Sequence, residues 1–253
     1  MIASAVSAFE LDAGDEFLPG SSMSHVGSFL WALSILSVGG KVVVARTTDA
    51  YELLPLLREN RPTVLAMIPA ALMALVRDHD LLPDDFASLR VCRAGSDKVS
   101  TELLTEFATA AGFPINEGYG MTEVGLATLN PPSGPNKQGS ISPPMSGFGI
   151  ALRDDAGNQV GPGSVGRIFI RSRSRMAGYW NAETATNQVV SGDGWIRVTW
   201  RTPTNRSGQS QANGRGPSPS SRPQFGNLAA AATHRSNRGV RQMAEVPHKL
   251  HFR

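Results

Sequence analysis

Asn116-Glu117-Gly118-Tyr119-Gly120-Met121-Thr122-Glu123 places two glycines on either side of an aromatic ring and ends on a hydroxyl followed by a carboxylate. The glycines permit a tight turn and a close ligand approach, which leaves the Tyr119 ring as a stacking platform. Thr122 offers a hydroxyl to a phosphate or acyl oxygen, and Glu123 offers a hard oxygen to magnesium. A purely structural reading also fits, with Thr122-Glu123 starting a helix and Tyr119 a half-buried aromatic. The string follows a predicted strand, Phe113–Ile115, and ligands of open α/β sheets bind at the carboxyl ends of strands.

Upstream, the pattern alternates between apolar helical stretches and short β-branched runs. Gly27–Val38 reads as a buried helix, and Lys41–Ala45 follows the Gly39-Gly40 break as a strand. Asp49 is placed to cap a helix reaching Asn60, with Pro55 in its early turns and Leu53, Leu54, Leu56 and Leu57 on its apolar face. Thr63–Ile68 reads as a strand, Ala70–Asp78 as a helix, Leu89–Arg93 as a strand, and Ser100 opens a further helix. This rhythm predicts an α/β fold, a parallel sheet flanked by helices, over residues 15–130 after a lead at 1–14.

Downstream, Gly/Pro-rich loops separate short predicted strands at Phe148–Arg153, Val165–Arg171 and Gln188–Val190, with a hairpin turn at Asp155–Asn158. Residues 131–197 are therefore expected to form a small β subdomain. Beyond them, segments such as 202–211 and 216–223 are rich in Pro, Ser, Gly and Arg, and disorder is expected over 198–253.

The charge divides at the same place. The 253 residues carry 24 Lys+Arg and 21 Asp+Glu, a net of +3, yet residues 199–253 hold 9 of those bases and a single acid, Glu245. The body is thus acidic and the positive balance lies in the tail. The single cysteine, Cys92, excludes an intrachain disulfide framework and a cysteine-based zinc site, and reads as a small core residue. The longest apolar run, Ser28–Val38, is too short to span a bilayer, and acids precede any signal-like stretch, so a cytoplasmic setting is expected. Gly39-Gly40-Lys41 lacks the spacing of a phosphate loop and reads as a turn.

Further blocks accompany the central string. Ala94-Gly95-Ser96-Asp97-Lys98-Val99-Ser100 ends the preceding strand, and Gly166–Arg171, Met176–Asn181 and Asp193–Ile196 follow in order. Together they resemble the large domain of the adenylate-forming superfamily, which includes acyl-CoA synthetases, firefly luciferase and peptide-synthetase adenylation domains. The resemblance spans about residues 15–197 and implies an incomplete large domain. It implies that Tyr119 stacks on adenine within the nucleotide-binding string Gly118, Tyr119, Gly120, Met121 and Thr122. It also implies that Gly95, Ser96 and Asp97 line the adenine and substrate, that Thr122 contacts the phosphate or acyl-adenylate, and that Glu123 binds magnesium. His25 resembles the family's histidine near the acyl carboxylate, although its interval from Pro19 is longer than usual and a helix-capping role is open.

The implied reaction has two steps. A carboxylic acid attacks the α-phosphate of ATP to give an acyl-adenylate, and a thiol such as coenzyme A then displaces AMP. Positioning and charge neutralisation govern the first step, so a metal-binding Glu, phosphate donors and an adenine platform must converge. A phosphate loop upstream of His25 has no counterpart here. After Arg197 the family's Thr-Gly-Asp is replaced by Val198-Thr199-Trp200-Arg201-Thr202, as a frameshift near Arg197 would produce. The expectation is a fragment of an AMP-forming fatty- or aryl-acid–CoA ligase, inactive alone. Its partners would be ATP, coenzyme A and a small acid. The alternatives are an amino-acid adenylation domain and a non-catalytic protein whose basic tail binds nucleic acid.

Overall fold

The computed structural model describes residues 1–140, 142–161, 164–203 and 250–252. The chain opens with α1 (Ile2–Phe9), β1 (Glu16–Gly20), α2 (Val26–Ser37), β2 (Lys41–Val42), α3 (Ala50–Asn60), β3 (Val64–Met67), α4 (Pro69–Val76), β4 (Val91–Ala94) and α5 (Thr101–Ala111). It continues through β5 (Gly120–Met121), β6 (Gly125–Leu126), β7 (Phe148–Arg153), β8 (Val165–Ser172), β9 (Met176–Tyr179), α6 (Glu183–Val189), β10 (Ile196–Pro203) and β11 (Leu250–Phe252).

Strands β1 to β4 form a parallel sheet in the order β2-β1-β3-β4. Period-2 alternation sends their side chains to two cores. Phe17, Val64, Ala66 and Val91 join Trp31, Ile35 and Phe9 on the face covered by α1 and α2. Leu18, Leu65, Met67 and Cys92 join Leu53, Leu72, Leu103 and Phe107 on the face covered by α3, α4 and α5. Each fully buried side chain of this size contributes roughly 1.5–3 kcal/mol. Cys92 is buried as expected, and burial pushes its thiol pKa well up, which makes it a core residue without nucleophilic character.

The second part is an antiparallel sheet in the order β10-β8-β7. Its hairpin turns where expected, with Asp154 N–H bonding Asn158 O at 2.9 Å and Gly157 at φ 89°. Phe148, Leu152, Ile168, Ile170 and Ile196 belong to the same apolar cluster as Trp31. The two parts therefore share one core.

At the amino edge of the parallel sheet, Asp15 is 2% exposed. Its Oδ1 accepts from Thr63 Oγ1 at 2.6 Å and Arg90 Nε at 2.8 Å, and Arg90 Nη2 pairs with Oδ2. Burial alone would raise this carboxyl, but the bonds from Arg90 and Thr63 outweigh it and hold the pKa below the usual range.

Several expectations need correction. The lead at 1–14 contains α1, whose Ala5 and Phe9 are core residues. Gln188–Val190 is not a strand, because 188 and 189 end α6 and only Val190 bridges to Ile196. A short apolar run does not distinguish a helix end from a strand. Phe113–Ile115 forms no ladder, since Pro114 lacks a donor, although Asn116 N–H bonds Cys92 O at 2.8 Å and keeps the segment beside β4. The chain also does not lose order at 198. β10 runs through Pro203 along β8, and Leu250–Phe252 pairs with β9. Residues 204–249, which carry most of the basic tail, lie outside the described residues.

Candidate functional site

The register of the parallel sheet builds one edge. Gly20 lies opposite Met67, and Met67 opposite Ala94, so the segments that follow β1, β3 and β4 leave side by side. Residues 21–25 lead into α2, residues 95–100 lead into α5, and the bond from Asn116 to Cys92 brings the start of the 116–123 string alongside. This is the carboxyl edge, where the sequence places its candidates.

Gly95 N–H still bonds Met67 O at 3.2 Å, after which Ser96 takes a left-handed φ of 71°. A non-glycine residue there carries strain of order 1 kcal/mol. Ser96 and Asp97 are exposed, and Asp97 Oδ1 accepts from Lys98 N–H at 2.7 Å. Ser100 Oγ caps α5 by accepting from Leu103 N–H at 3.1 Å.

The glycines of the central string serve the backbone. A side-chain carbon on Gly120 would come 2.6 Å from Gly125 O, and one on Gly118 would collide with Thr128 O. Both therefore allow the close approach of residues 125–128. Between them, Tyr119 N–H bonds Thr128 Oγ1 at 2.8 Å, and Tyr119 O accepts from Ala127 and Thr128 N–H. Its ring packs partly buried against the larger core, with the hydroxyl 3.9 Å from Met121 Sδ. Burial, and then the charge of Glu123, push the phenol pKa up. Glu117 is buried and accepts from Gly139 N–H at 2.6 Å, and burial raises its pKa.

Glu123 accepts from Tyr179 Oη at 2.7 Å through Oε1, and its backbone carbonyl accepts from Met176 N–H at 2.7 Å. Tyr119, Glu123 and Tyr179 thus form one group. Thr122 sits half-buried in the turn between β5 and β6, so Thr122-Glu123 does not start a helix. Among the described residues, Glu123 Oε2 has no hydrogen bond or ion pair, which leaves a hard donor suited to magnesium. Asp78, His79 and Asp80 bring three donors together, but in the exposed segment after α4.

His25 is the N-cap of α2, and its Nδ1 accepts from Gly27 N–H at 3.2 Å. Burial, then the charge of Arg93, lower its pKa and keep the ring neutral, as an accepting Nδ1 requires. Among the described residues, no hydrogen bond or ion pair joins His25, Gly95–Asp97 or Thr122 to Tyr119 or Glu123.

Two residues without a sequence-derived role sit against these candidates. Tyr179 holds Glu123, and no spacing signal pairs residues so far apart. Arg93 lies beside His25 and Gly95, and its signal was an arginine at a buried position of an apolar strand. Two surface hollows lie among the described residues, one lined by Arg171, Arg173, Arg175 and Gly194 and one by Tyr179, Asn181, Glu183 and Thr186. The second includes Tyr179, the hydrogen-bond partner of Glu123. Among the described residues no helix is long and apolar enough to cross a membrane.

Residues 1–180 match the family described as AMP-binding enzyme. The chain is 29% identical over 190 residues to the fatty acid–acyl-carrier-protein ligase ScoC of Streptomyces coeruleorubidus, covering 73% of this chain and 36% of that protein. It is 30% identical over 166 residues to the long-chain-fatty-acid–CoA ligase of Yersinia pestis, covering 65% and 29%. ATP-bound MatB from Rhodopseudomonas palustris superposes with a TM-score of 0.76 at 22% identity, over 83% of this chain and 42% of that one, which establishes the fold. The chain spans about a third of the length of these curated relatives.

Proposed function

Because the chain belongs to the AMP-binding enzyme family, we propose that it carries nucleotide- and acid-binding elements of an AMP-forming carboxylic acid–thiol ligase. The observation that supports this most directly is the aligned carboxyl edge, which sets Gly95–Asp97, the 116–123 string and His25 at neighbouring exits. In this reading the substrate carboxylate attacks the α-phosphorus of ATP and the bond to pyrophosphate breaks. A thiol such as that of coenzyme A then attacks the acyl carbon and AMP leaves.

Tyr119, made rigid by Thr128 and its half-buried ring, lies under adenine, with Gly118, Gly120 and Met121 shaping its surroundings. Gly95, Ser96 and Asp97 line the base and the acid, and Thr122 donates its hydroxyl to a phosphate or acyl oxygen. Glu123 would hold Mg²⁺ through Oε2 while Tyr179 fixes the carboxylate by Oε1, and the ion would neutralise phosphate charge. His25, neutral and anchored through Nδ1, borders the acyl carboxylate. A cytoplasmic setting belongs to the same proposal, supported by the single buried thiol.

Calorimetric titration of the full chain with AMP and Mg²⁺ tests the reading. Binding is expected, and Tyr119→Ala should weaken it at least about tenfold, since base–aromatic stacking is worth roughly 1–3 kcal/mol. Absence of AMP binding would overturn the proposal. Pyrophosphate release by the chain alone is expected at background, and turnover with any carboxylic acid would refute that part.

A further inference from the structure

Arg93 is a buried cation with no counter-ion. It is 8% exposed, its Nε is buried without a partner, and among the described residues no hydrogen bond or ion pair reaches its guanidinium. Alternation along β4 puts it on the Val91 side of the sheet, in register with Ala66, and at the carboxyl edge. Burial lowers its pKa to about 10, so it remains charged near neutrality. A carbon added at Gly95 would collide with Nη1 and lie 2.9 Å from Cζ, so the guanidinium occupies the space that this glycine leaves open. His25, which feels its charge, is neutral.

An isolated guanidinium in such a place is costly unless an anion completes it. Its planar fork matches a carboxylate in bidentate fashion. The buried acid on this edge, Glu117, accepts from Gly139 N–H through Oε2 and makes no ion pair with Arg93 among the described residues. We propose that Arg93 is a specificity-determining residue that binds a second carboxylate, so that the acid accepted at this site is a dicarboxylic acid. The inference rests on the ligase reading above and deepens it. One carboxylate is left free to react while the other is held by Arg93, and a monocarboxylic chain at the same place leaves the guanidinium desolvated and unpaired.

The test uses the full chain with saturating AMP, titrated calorimetrically with succinate, glutarate and adipate and with their monocarboxylic counterparts butanoate, pentanoate and hexanoate. At least one diacid should bind at least about tenfold tighter than its counterpart, in line with a charge-assisted bidentate pair. Arg93→Met should erase that preference without changing AMP affinity, and Arg93→Lys should retain part of it. The comparison within the unmodified chain needs no variant to fold. Equal binding of diacids and monoacids overturns the inference, as does a loss of AMP affinity in Arg93→Met, which would make the nucleotide phosphate the partner. If AMP binds and the diacid preference is missing, the ligase reading stands and this inference falls. If neither AMP nor acid binds, both fall.

Discussion

His25 illustrates how one side chain can serve the fold and the site together. Its Nδ1 satisfies a donor at the start of α2, which ties the ring to one nitrogen and one tautomer. Replacement by leucine removes the acceptor and should cost about 1 kcal/mol in urea melts, while His25→Asn keeps an acceptor in place and should stay within a few tenths. If the two variants are equally stable, the cap has no energetic weight. The asparagine variant then isolates the ligand role, because loss of acid binding in a protein of unchanged stability belongs to the imidazole. Arg93 shows the converse case, a buried side chain that fills space beside Gly95 while its guanidinium makes no hydrogen bond or ion pair among the described residues.

At the scale of elements, the hairpin of β5 and β6 depends on backbone proximity. Gly120→Ala sets a methyl against Gly125 O with no flexible side chain to yield, and a destabilisation of roughly 1–3 kcal/mol is expected, as for other overpacked sites. A melting temperature equal to that of the unmodified chain would show that the hairpin gives way freely. The same hairpin marks where the sequence was readable. Period and punctuation place the parallel strands, their helices and the β7–β8 hairpin, because Gly157 and the β-branched runs are local signals. The backbone that Gly118 and Gly120 make room for is not legible locally, since those atoms come from residues several positions later. The pairing of β11 with β9 and the bond from Tyr179 to Glu123 are long-range products of packing, and no local pattern encodes them.

For the whole molecule, the sheet has two unlike edges. Ionic ties hold the amino edge through Asp15 and Arg90, and Arg58 bonds Asp85 at 2.8 Å through both Nε and Nη2 nearby. The Arg58 bonds lower the Asp85 pKa, as the network lowers that of Asp15. A folded-state pKa below the unfolded one means that the unfolded chain binds protons first. This stability is complete above the unfolded value near 4 and drains away as the pH falls through the folded values. The lowered pKa of His25 adds a shallower decline below about pH 6.5, while the raised one of Glu117 acts in the opposite sense. Urea midpoints should therefore drop steeply below about pH 4. Arg90→Met, which strands a buried carboxylate, should lose about 3 kcal/mol at pH 7 and show a weaker acid dependence. An acid profile identical to that of the parent would contradict this account. The alignment of Gly20, Met67 and Ala94 also bears on inheritance. One residue inserted within β1, β3 or β4 would turn every later side chain of that strand to the other face and shift one exit relative to its neighbours. Descendants of this chain are thus free to lengthen residues 21–25 and 95–100, where novelty in ligand choice can accumulate, while the strands beneath must be passed on at constant length.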